Sequence, residues 1–412
     1  MKKHTYRSKN VNKINFTQVK ERLANEPVVF AIDIAKEKQY GLLSNASGTV
    51  SELIWWTHTE QTVELLSALK ELECPLDIVI ESTGTYGDAL RFQFRDCGFE
   101  IYQMNAKRVK DASEIYDGVP SMHDAKSATI ITRLHRDGLS KLWVELNDDE
   151  RTMNALRREY DMHQSQYQRN QGRLEAYLSR HWPEVSYLLS LDSVTLEKLL
   201  IEYGSPASIA SDAKNAANNM RLWGKHLLSD GKIEAVISSA CNSLGQPCIE
   251  SELRYLQALA KELQHSRLQQ KQAKQALEES IKSKNDLREL GALIGMVTTA
   301  VLFSCHLDPR KYDCARSYQK ALGLNLKEKS SGRHVGQLKI TKRGSSVARS
   351  YLYFAALRLI KNNSVVKAWY LNKVDPRAKN KTVIAVMRKL SKALWYVGRG
   401  DKFDATKLFA VA

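Results

Sequence analysis

The sequence lacks the patterns that mark several large classes of protein. No stretch approaches the roughly 20 apolar residues that a membrane-spanning helix requires, so we expect no membrane segment. The amino terminus, MKKHTYRSKNVNK, has no apolar run behind it, which argues against a signal peptide. The cysteines include no CxxC pair and no nearby histidine at zinc-finger spacing. We therefore expect reduced, mostly buried thiols in a cytoplasmic protein.

Acidic residues are too few to balance the basic ones. The chain has 46 Asp and Glu residues against 62 Lys and Arg residues, which gives a formal net charge of +16. A field of that sign attracts phosphate backbones, so we expect nucleic acid as the partner, with an anionic membrane surface as the second choice. The basic amino terminus is then either a frayed tail or an arm that contacts phosphates.

A chain of 412 residues is too long for one ordinary domain. After a basic extension, residues 1–26, the segment 27–145 alternates strand-like and helical runs, which predicts an α/β layer. Its first run, PVVFAIDIAKEKQYGLLSNASGTVSELIWW, is interpreted as a strand, a turn and a return strand. LDIVIESTG and FEIYQMN are two further predicted strands.

The middle of the chain, residues 146–287, contains two long polar helical stretches on either side of a small helical insert, residues 183–245. The second stretch has coiled-coil spacing, with apolar residues at Leu253, Leu256, Ala260 and Leu263. Thin apolar stripes need a partner helix, either each other as an antiparallel arm or another subunit. A mainly helical carboxy-terminal domain, residues 288–412, follows.

Two acids stand where predicted strands end, and a third begins a predicted helix. Asp33 follows VVFAI, Glu81 follows DIVI, and Asp124 lies in PSMHDAKSATIITRL. An acid at the end of an apolar strand is costly to bury unless it is paired or holds a metal. The three carboxylates predict an oxygen cage for Mg²⁺, while loop capping remains the alternative for each one.

These segments resemble a known family. AIDIAKE, VIESTGTYGDAL and MNAKRVKDA, followed by PSMHDAKSATIITRL, are similar to motifs of the DEDD transposases of the IS "one-ten" insertion sequences, whose relatives include the pilin-gene invertase. The resemblance implies an RNase H-like (RuvC-like) α/β nuclease domain at the amino terminus with four catalytic acids. Three of these acids carry over to Asp33, Glu81 and Asp124.

The fourth acidic position departs from the family pattern. The family has an acid followed by alanine three residues after the third acid, whereas this chain has Ser127 and Ala128. A spacing of three keeps Asp124 and Ser127 on one helix face. The hydroxyl of Ser127 can hold a metal-bound water but adds no negative charge, which puts metal affinity and nuclease competence in question.

A second motif carries a candidate nucleophile. The loop region GLNLKEKSSGRHVGQLKITKRG contains Ser330 and Ser331 among basic residues, and a serine can attack phosphorus where cations stabilise the developing charge. On residue chemistry alone a solvated turn is the alternative. The family pattern of GL, a spaced SG and then I-K-R-G implies that Ser331, directly before Gly332, is the nucleophile.

The resemblance also implies how the parts act together. In the family, the acidic domain of one subunit and the serine domain of another form a composite site, in which Mg²⁺ activates the serine to form a phosphoserine link to DNA. A structured noncoding RNA guides the DNA choice. We therefore expect a homo-oligomer, a dimer or tetramer, that is cytoplasmic, prokaryotic and nucleoid-associated, with the coiled-coil arm holding the subunits together.

Basic and aromatic residues near these motifs are candidates for nucleic-acid contacts. For each basic residue a solvated surface is the alternative, and for the tyrosines a core position is. The basic candidates are Lys107, Arg108, Lys110, Arg333, Lys342, Arg343 and Arg349, and the aromatic ones are Tyr86, Tyr102 and Tyr116.

The sequence is compatible with three functions. The first is an active transposase or recombinase that exchanges DNA strands. The second is a DNA invertase or junction nuclease with altered metal use. The third is a transposase-derived nucleic-acid-binding protein whose catalysis is impaired because position 127 is a serine.

Overall fold

The computed structural model describes residues 8–23, 26–81, 84–115, 118–119, 123–328, 336 and 338–410, without the side chains of residues 124, 125 and 286. The chain divides into two compact units, Met1–Glu145 and Leu146–Ala412. Each is described by itself.

The first unit is built, within the described residues, on an eight-stranded sheet with the order β1-β5-β3-β2-β6-β7-β8, and β4 pairs with β3. The strands are β1 (Ser8–Asn10), β2 (Val28–Asp33), β3 (Lys38–Asn45), β4 (Gly48–Thr49), β5 (Leu53–Thr57), β6 (Leu76–Glu81), β7 (Glu100–Met104) and β8 (Lys141–Leu142). The central strands β2, β6 and β7 are parallel, and β3 runs antiparallel to both β2 and β5. This is the strand arrangement of an RNase H-like α/β domain.

The first apolar run of the sequence folds with one more turn than predicted. The prediction of one strand, one turn and one return strand was wrong, because residues 34–37 form a turn between β2 and β3 before the NASG segment turns the chain again. The second turn, at Asn45, is held by a hydrogen bond from the Gly48 amide to Asn45 Oδ1 (3.1 Å). The early part of the sheet is therefore a three-stranded antiparallel meander.

Helices cover both faces of this sheet. The helices are α1 (Phe16–Arg22), α2 (Glu60–Lys70), α3 (Asp88–Asp96), α4 (Ala106–Asp111) and α5 (Asp124–Arg136). Phe30 and Ile78 share one core with α2 and α3 residues. Ala31 and Val79 share the opposite core with α4 and α5 residues. Because both faces of β2 and β6 are buried, these strands are continuous apolar runs.

Within the predicted basic extension, residues 8–23 are folded into the first unit. β1 pairs in parallel with β5, and Val11, Val19 and Leu23 are buried in the core. Residues 8–23 therefore belong to the first unit and are not a frayed tail.

Long helices dominate the second unit. The two long helices are α6 (Asp148–His181) and α12 (Glu250–Lys282). The shorter helices between them are α7 (Val185–Leu188), α8 (Val194–Glu202), α9 (Pro206–Ser211), α10 (Ala213–Gly224) and α11 (Asp230–Cys241). Side-chain hydrogen bonds join Asn170 to Ser266 (3.2 Å) and Gln164 to Gln270 (2.9 Å). The partner number rises as the first number falls, so α6 and α12 pair antiparallel within one chain. The helices of the insert pack against the carboxyl end of α6, at Leu174 and Leu178, and the amino end of α12, at Leu256 and Leu263.

The remaining elements form the other end of the second unit. They are α13 (Arg288–Ile294), α14 (Met296–Ser304), α15 (Ala315–Ala321), β9 (Leu326–Lys327), β10 (Lys339–Ile340), α16 (Ser346–Asn362), α17 (Ser364–Lys373), α18 (Lys379–Val397) and α19 (Ala405–Leu408). Their core includes Tyr160 of α6 and Leu277 of α12. The helical pair and the carboxy-terminal helices therefore share one hydrophobic core.

The cysteines and the helix lengths bear on two further expectations. All six cysteines are free thiols, but Cys241 and Cys314 are exposed and the other four are only partly buried, so the expectation of mostly buried thiols was wrong. No helix in the described ranges is long and apolar enough to span a bilayer.

Candidate active site

Two carboxylates end neighbouring parallel strands at the centre of the first unit. Asp33 is the last residue of β2 and Glu81 the last of β6. The register pairs Ile32 with Ile80, so the two acids follow at the next step of the same pair of strands. Side chains alternate along a strand, which places both acids on the face of Ala31 and Val79, the face that α5 covers.

The two acids influence each other electrostatically. Burial, and second the negative charge of Asp33, raise the pKa of Glu81 above its usual range. Each of these half-buried carboxylates disfavours the ionised form of the other. A divalent cation bound between them would remove this repulsion, and carboxylate oxygens are suitable ligands for it. This oxygen pair therefore fits a hard metal ion.

Helix α5 runs antiparallel to β2 and β6. Near its carboxyl end, His135 Nε2 lies 3.1 Å from Oδ2 of Asp77, which stands at the start of β6. Its amino end consequently lies at the other end of the strands, where Asp33 and Glu81 are. Asp124 is the first residue of α5, and His123 caps the helix by accepting a hydrogen bond from the Lys126 amide (3.2 Å).

Ser127 lies on the side of α5 that faces the sheet. It is 7% exposed, and its neighbour Ala128 is fully buried against Leu42 and Leu53. Ile131, one turn further along the helix, is also fully buried. An acid at position 127 would therefore point toward the same buried end of the sheet as the two strand-end carboxylates.

The third predicted ligand lies partly outside the described residues, because the side chain of Asp124 is not described. Within the described side chains, no group of three or more His, Cys, Asp or Glu residues could hold a metal ion. The structure brings Asp33 and Glu81 together and places the backbone of Asp124 at the same end of the sheet. The complete ligand set remains a prediction.

A buried arginine that contacts the turn after Glu81 was not identified from the sequence. Arg91 of α3 is 4% exposed, and its Nη2 donates to Asp88 Oδ1 and to the Gly84 carbonyl in the turn after Glu81. Within the described part of the chain, Nε and Nη1 of Arg91 have no hydrogen-bond partner. The only sequence signal was an arginine on the apolar stripe of a short helix.

The serine motif lies between two short antiparallel strands of the second unit. Lys327 pairs with Lys339, and Leu326 with Ile340. Ser331, Gly332 and Arg333 fall in the connection between β9 and β10, outside the described residues. Their placement stays a prediction, and the base of this β9–β10 hairpin is described.

The glycines of the GL and KRG motifs meet at that base. The Lys342 amide donates to the Gly323 carbonyl (3.0 Å), and the Thr341 amide donates to the Asn325 carbonyl (2.8 Å). Gly323 has φ +68°, and a Cβ on Gly344 would lie 2.2 Å from the Ala321 carbonyl oxygen. Both glycines therefore permit a close backbone approach that fixes the two ends of the hairpin.

Two of the basic candidates of the second unit are exposed and a third is partly buried. Lys342, with φ +56°, and Arg343 are exposed at the hairpin base. Arg349 Nη1 donates to the carbonyls of Leu322 (3.2 Å) and Gly344 (2.9 Å), and burial lowers the pKa of its guanidinium. Arg349 thus holds the hairpin base in place, and contacts of all three with nucleic acid stay predictions.

The basic candidates of the first unit lie on and beside α4. Arg108 Nη1 donates to the Leu139 carbonyl (2.6 Å), and Lys107 pairs with Asp111 across an exposed 3.3 Å contact. Lys110 is exposed. All three are accessible side chains of one short helix, which is compatible with the predicted phosphate contacts.

The three candidate tyrosines differ in their surroundings. Tyr86 is 62% exposed in the turn after Glu81. The Tyr102 hydroxyl donates to Glu100 (3.0 Å), and its ring packs edge-on against His135. Tyr116 lies outside the described residues. Tyr86 is consequently the described tyrosine with the largest free ring surface near the acids.

Comparison with protein families identifies the chain. A transposase model of the DEDD type from IS110 elements matches residues 30–183, which include all three predicted acids. A second model, transposase IS116/IS110/IS902 family, matches residues 293–371, which include the β9–β10 hairpin. The chain belongs to the IS110 family of transposases. No curated protein matches this IS110-family transposase. It is an insertion-sequence transposase, so it binds and cuts DNA.

Proposed function

We propose that this transposase cuts and rejoins DNA through Ser331, with Mg²⁺ held by Asp33, Glu81 and Asp124. The observation that carries the proposal is the meeting of Asp33 and Glu81 at one end of the sheet, on the face covered by the helix that Asp124 begins. Acids converging from two strands and a helix are the arrangement expected of a metal-dependent phosphodiester site.

The metal proposal rests on the chemistry of the donors. Glu81 is half-buried beside the charge of Asp33, and both conditions disfavour its ionised form when no cation is bound. Carboxylate oxygens are the ligands that Mg²⁺ prefers. When bound, Mg²⁺ supplies positive charge to the phosphoryl oxygens of the DNA. The chain's own part is to hold its carboxylates at this end of the sheet in a partly buried setting.

The serine step is a displacement at phosphorus. The Ser331 hydroxyl oxygen forms a bond to phosphorus and loses its proton, while the bond from phosphorus to the leaving sugar oxygen breaks and that oxygen gains a proton. A sugar hydroxyl of another strand then attacks the phosphoserine and releases the serine. The exposed Lys327 and Lys339 flank the segment that carries Ser331 and provide cations for the charge on the phosphoryl oxygens.

The partners follow from the family and from the charge. We propose a homo-oligomer, a dimer or tetramer, in which the acids of one subunit act with the serine of another. A structured noncoding RNA selects the DNA, and strand exchange passes through a branched junction. The net charge of +16 supports binding to two polyanions at once. The protein then works in the prokaryotic cytoplasm, associated with the nucleoid.

One observation favours a second candidate function. Ser127 occupies the fourth acidic position and is 7% exposed, so this buried position contributes no negative charge to the metal site. A transposase-derived nucleic-acid-binding protein or an invertase with altered catalysis would have that feature. The transposase and the binding protein differ in whether a covalent protein–DNA link forms.

The test is a search for that link. Purified protein is mixed with Mg²⁺, the RNA transcribed beside the gene, and end-labelled DNA that spans the ends of the element. We expect a labelled adduct that survives denaturing electrophoresis, that EDTA prevents and that Ser331→Ala abolishes. Ser330→Ala, which removes the neighbouring hydroxyl, should retain it. An adduct that persists in Ser331→Ala excludes Ser331 as the nucleophile, and no adduct with any DNA favours the binding protein.

A further inference from the structure

A basic cavity in the second unit lies outside every motif considered so far. It has a volume of about 410 Å³ and opens between α15 and α18. Its charged and aromatic lining residues are Arg316, Arg388, Lys392, Trp395 and Tyr396, and Cys314 lies at its edge. None of the residues that line it is acidic.

The positive charge of the cavity is not neutralised by its own walls. Arg316 and Lys392 are exposed. Arg388, the third cation of the lining, is partly buried and, among the described residues, donates only to backbone and amide oxygens, so it too keeps its full charge. Cations that repel each other at a concave surface attract an anion, and a phosphate group takes hydrogen bonds from both arginine and lysine.

The aromatic side of the cavity is rigid at one ring and open at the other. Trp395 Nε1 donates to the Tyr312 carbonyl (2.8 Å), and the Arg399 guanidinium carbon lies 3.9 Å from the Trp395 ring centroid. The Tyr396 ring meets the Trp395 ring edge-on at 4.9 Å and is 49% exposed. An exposed ring with fixed neighbours beside cations is how proteins hold an unstacked base and its phosphate.

The cavity is also connected to the base of the β9–β10 hairpin. Arg388 Nε donates to the Leu324 carbonyl (3.0 Å), directly before the hairpin begins. Gln319 of the cavity wall donates to the Arg388 carbonyl (2.9 Å). A ligand in the cavity therefore touches residues that fix the strand leading to Ser331.

We propose that this cavity binds one unstacked nucleotide of a single-stranded nucleic-acid segment, with the base on Tyr396 and its phosphate at Arg316 and Lys392. A base-paired duplex does not fit this role, since its bases are stacked inside the helix. The inference rests on the nucleic-acid binding of the transposase and not on the serine chemistry. DNA and RNA strands share the recognised groups, so the experiment separates them.

Cys314 provides a reporter at the cavity edge. The thiol is exposed, and a hydrogen bond with Ser317 lowers its pKa, which speeds alkylation. The full-length protein is treated with iodoacetamide and the labelled peptides are quantified by mass spectrometry. Cys241, the other exposed thiol, lies on α11 of the insert and serves as the internal control. The probes are oligothymidylate, oligouridylate, an abasic strand and a DNA duplex.

We expect oligothymidylate or oligouridylate to slow alkylation of Cys314 and to leave Cys241 unchanged. The stronger of the two identifies the natural strand as DNA or RNA. Abasic strand and duplex should protect weakly. Tyr396→Ala should weaken protection about tenfold, since one stacked base contributes roughly 1–3 kcal/mol. Tyr187→Ala, which removes a ring that is 91% exposed elsewhere, should have no effect, and Lys392→Glu should abolish protection.

Equal protection by the abasic strand would overturn the proposal, because no base would then be bound. Strands that bind the protein without protecting Cys314 would overturn it as well. Alkylation requires no DNA cleavage, so loss of the Ser331 adduct leaves this result unaffected. Conversely, an adduct that forms normally in Tyr396→Ala leaves the serine mechanism intact whatever the cavity binds.

Discussion

Asp33 lies beside Glu81 across two parallel strands, one step beyond the pair formed by Ile32 and Ile80. Burial and the charge of Asp33 both favour the protonated form of Glu81. Ionisation of Glu81 beside Asp33 therefore lowers the free energy of unfolding of the metal-free protein. Strain of this kind is common where function requires like charges to converge.

Replacing Glu81 should make the metal-free protein more stable. Because the folded pKa of this acid is raised, its unfavourable contribution is absent below the unfolded value of 4.5 and appears as the pH rises through the folded pKa. Glu81→Gln should therefore have a higher Tm than wild type in EDTA at pH 7.5. The difference should shrink as the pH falls toward 4.5. Differential scanning calorimetry measures both effects.

Magnesium should reverse that order. Added Mg²⁺ should raise the Tm of wild type and leave Glu81→Gln almost unchanged, because a ligand that binds the folded state stabilises it. Glu64→Gln, at an exposed position on the other side of the sheet, is the matched control and should respond to Mg²⁺ as wild type does. An equal Mg²⁺ response in Glu81→Gln would remove Glu81 from the metal site.

The strand-end positions of Asp33 and Glu81 could be predicted from sequence because their signal is local, while their role as metal ligands stays a prediction. An apolar run that ends in a carboxylate identifies both the strand and its end, and Asp33 and Glu81 each follow such a run. The direction of α5 could not be predicted in this way. That direction is visible in the contact of His135 with Asp77, 58 residues apart in sequence, and no local pattern encodes such a pairing.

Restoring the fourth acid should couple stability to metal. Ser127 is buried on the side of α5 that faces the sheet, so Ser127→Asp should lower the free energy of unfolding in EDTA by roughly 1–3 kcal/mol, the cost of a buried and unpaired polar group. Mg²⁺ should recover most of this loss and increase the yield of the covalent adduct. Urea unfolding with and without Mg²⁺ provides the measurement.

Ser127→Asn is the matched control, because asparagine has nearly the shape of aspartate but no negative charge. Mg²⁺ should not restore the stability of this variant. If Ser127→Asp is equally unstable with and without Mg²⁺, position 127 is not part of the metal site. If Ser127→Asp recovers its stability but the adduct yield stays at the wild-type level, serine is an accepted substitute at this position.

Arg91 should matter for activity more than for stability. Its Nη2 holds the turn after Glu81 through the Gly84 carbonyl, while Nε and Nη1 have no partner within the described part of the chain. Arg91 also forms an ion pair with Asp88, but the Asp88 side chain is exposed, so the substitution leaves no buried charge unpaired. Replacing a buried charge by an apolar group of similar length is then often neutral for stability. We expect Arg91→Met to change the free energy of unfolding by less than about 1 kcal/mol and to lower the rate of adduct formation.

The control for Arg91 is on the same helix. Arg95 pairs with Glu145 and is partly exposed, and Arg95→Met should keep the wild-type rate. Equal rates in Arg91→Met and wild type would show that the turn after Glu81 does not need the arginine. Arg91 could not be identified from the sequence, because burial of a charged residue is set by the packing of α3 on the sheet and not by its neighbours along the chain.

The glycines at the base of the β9–β10 hairpin likewise depend on contacts between residues that are distant in sequence. The family pattern pointed to Ser331, but the pattern alone gave no reason for its glycines. The reason is non-local: Gly323 and Gly344, 21 positions apart, bring two backbone segments into contact at the base of the hairpin. A repeated glycine in a basic segment is otherwise typical of a solvated loop.

That contact should make Gly344 the most sensitive glycine of the motif. A Cβ at this position would lie 2.2 Å from the Ala321 carbonyl oxygen and 2.9 Å from the Gly323 amide nitrogen, and neither backbone atom can move aside cheaply. Gly344→Ala should lower the free energy of unfolding of the second unit by roughly 1–3 kcal/mol, the usual cost of overpacking, and should also prevent adduct formation.

Gly172→Ala provides the opposite control, because Gly172 is exposed within α6 and its added Cβ would meet nothing within 4 Å. Alanine should raise stability there by about 0.5–1 kcal/mol and leave the adduct unchanged. If Gly344→Ala unfolds like wild type in urea, the hairpin base is more adaptable than its close backbone contact indicates.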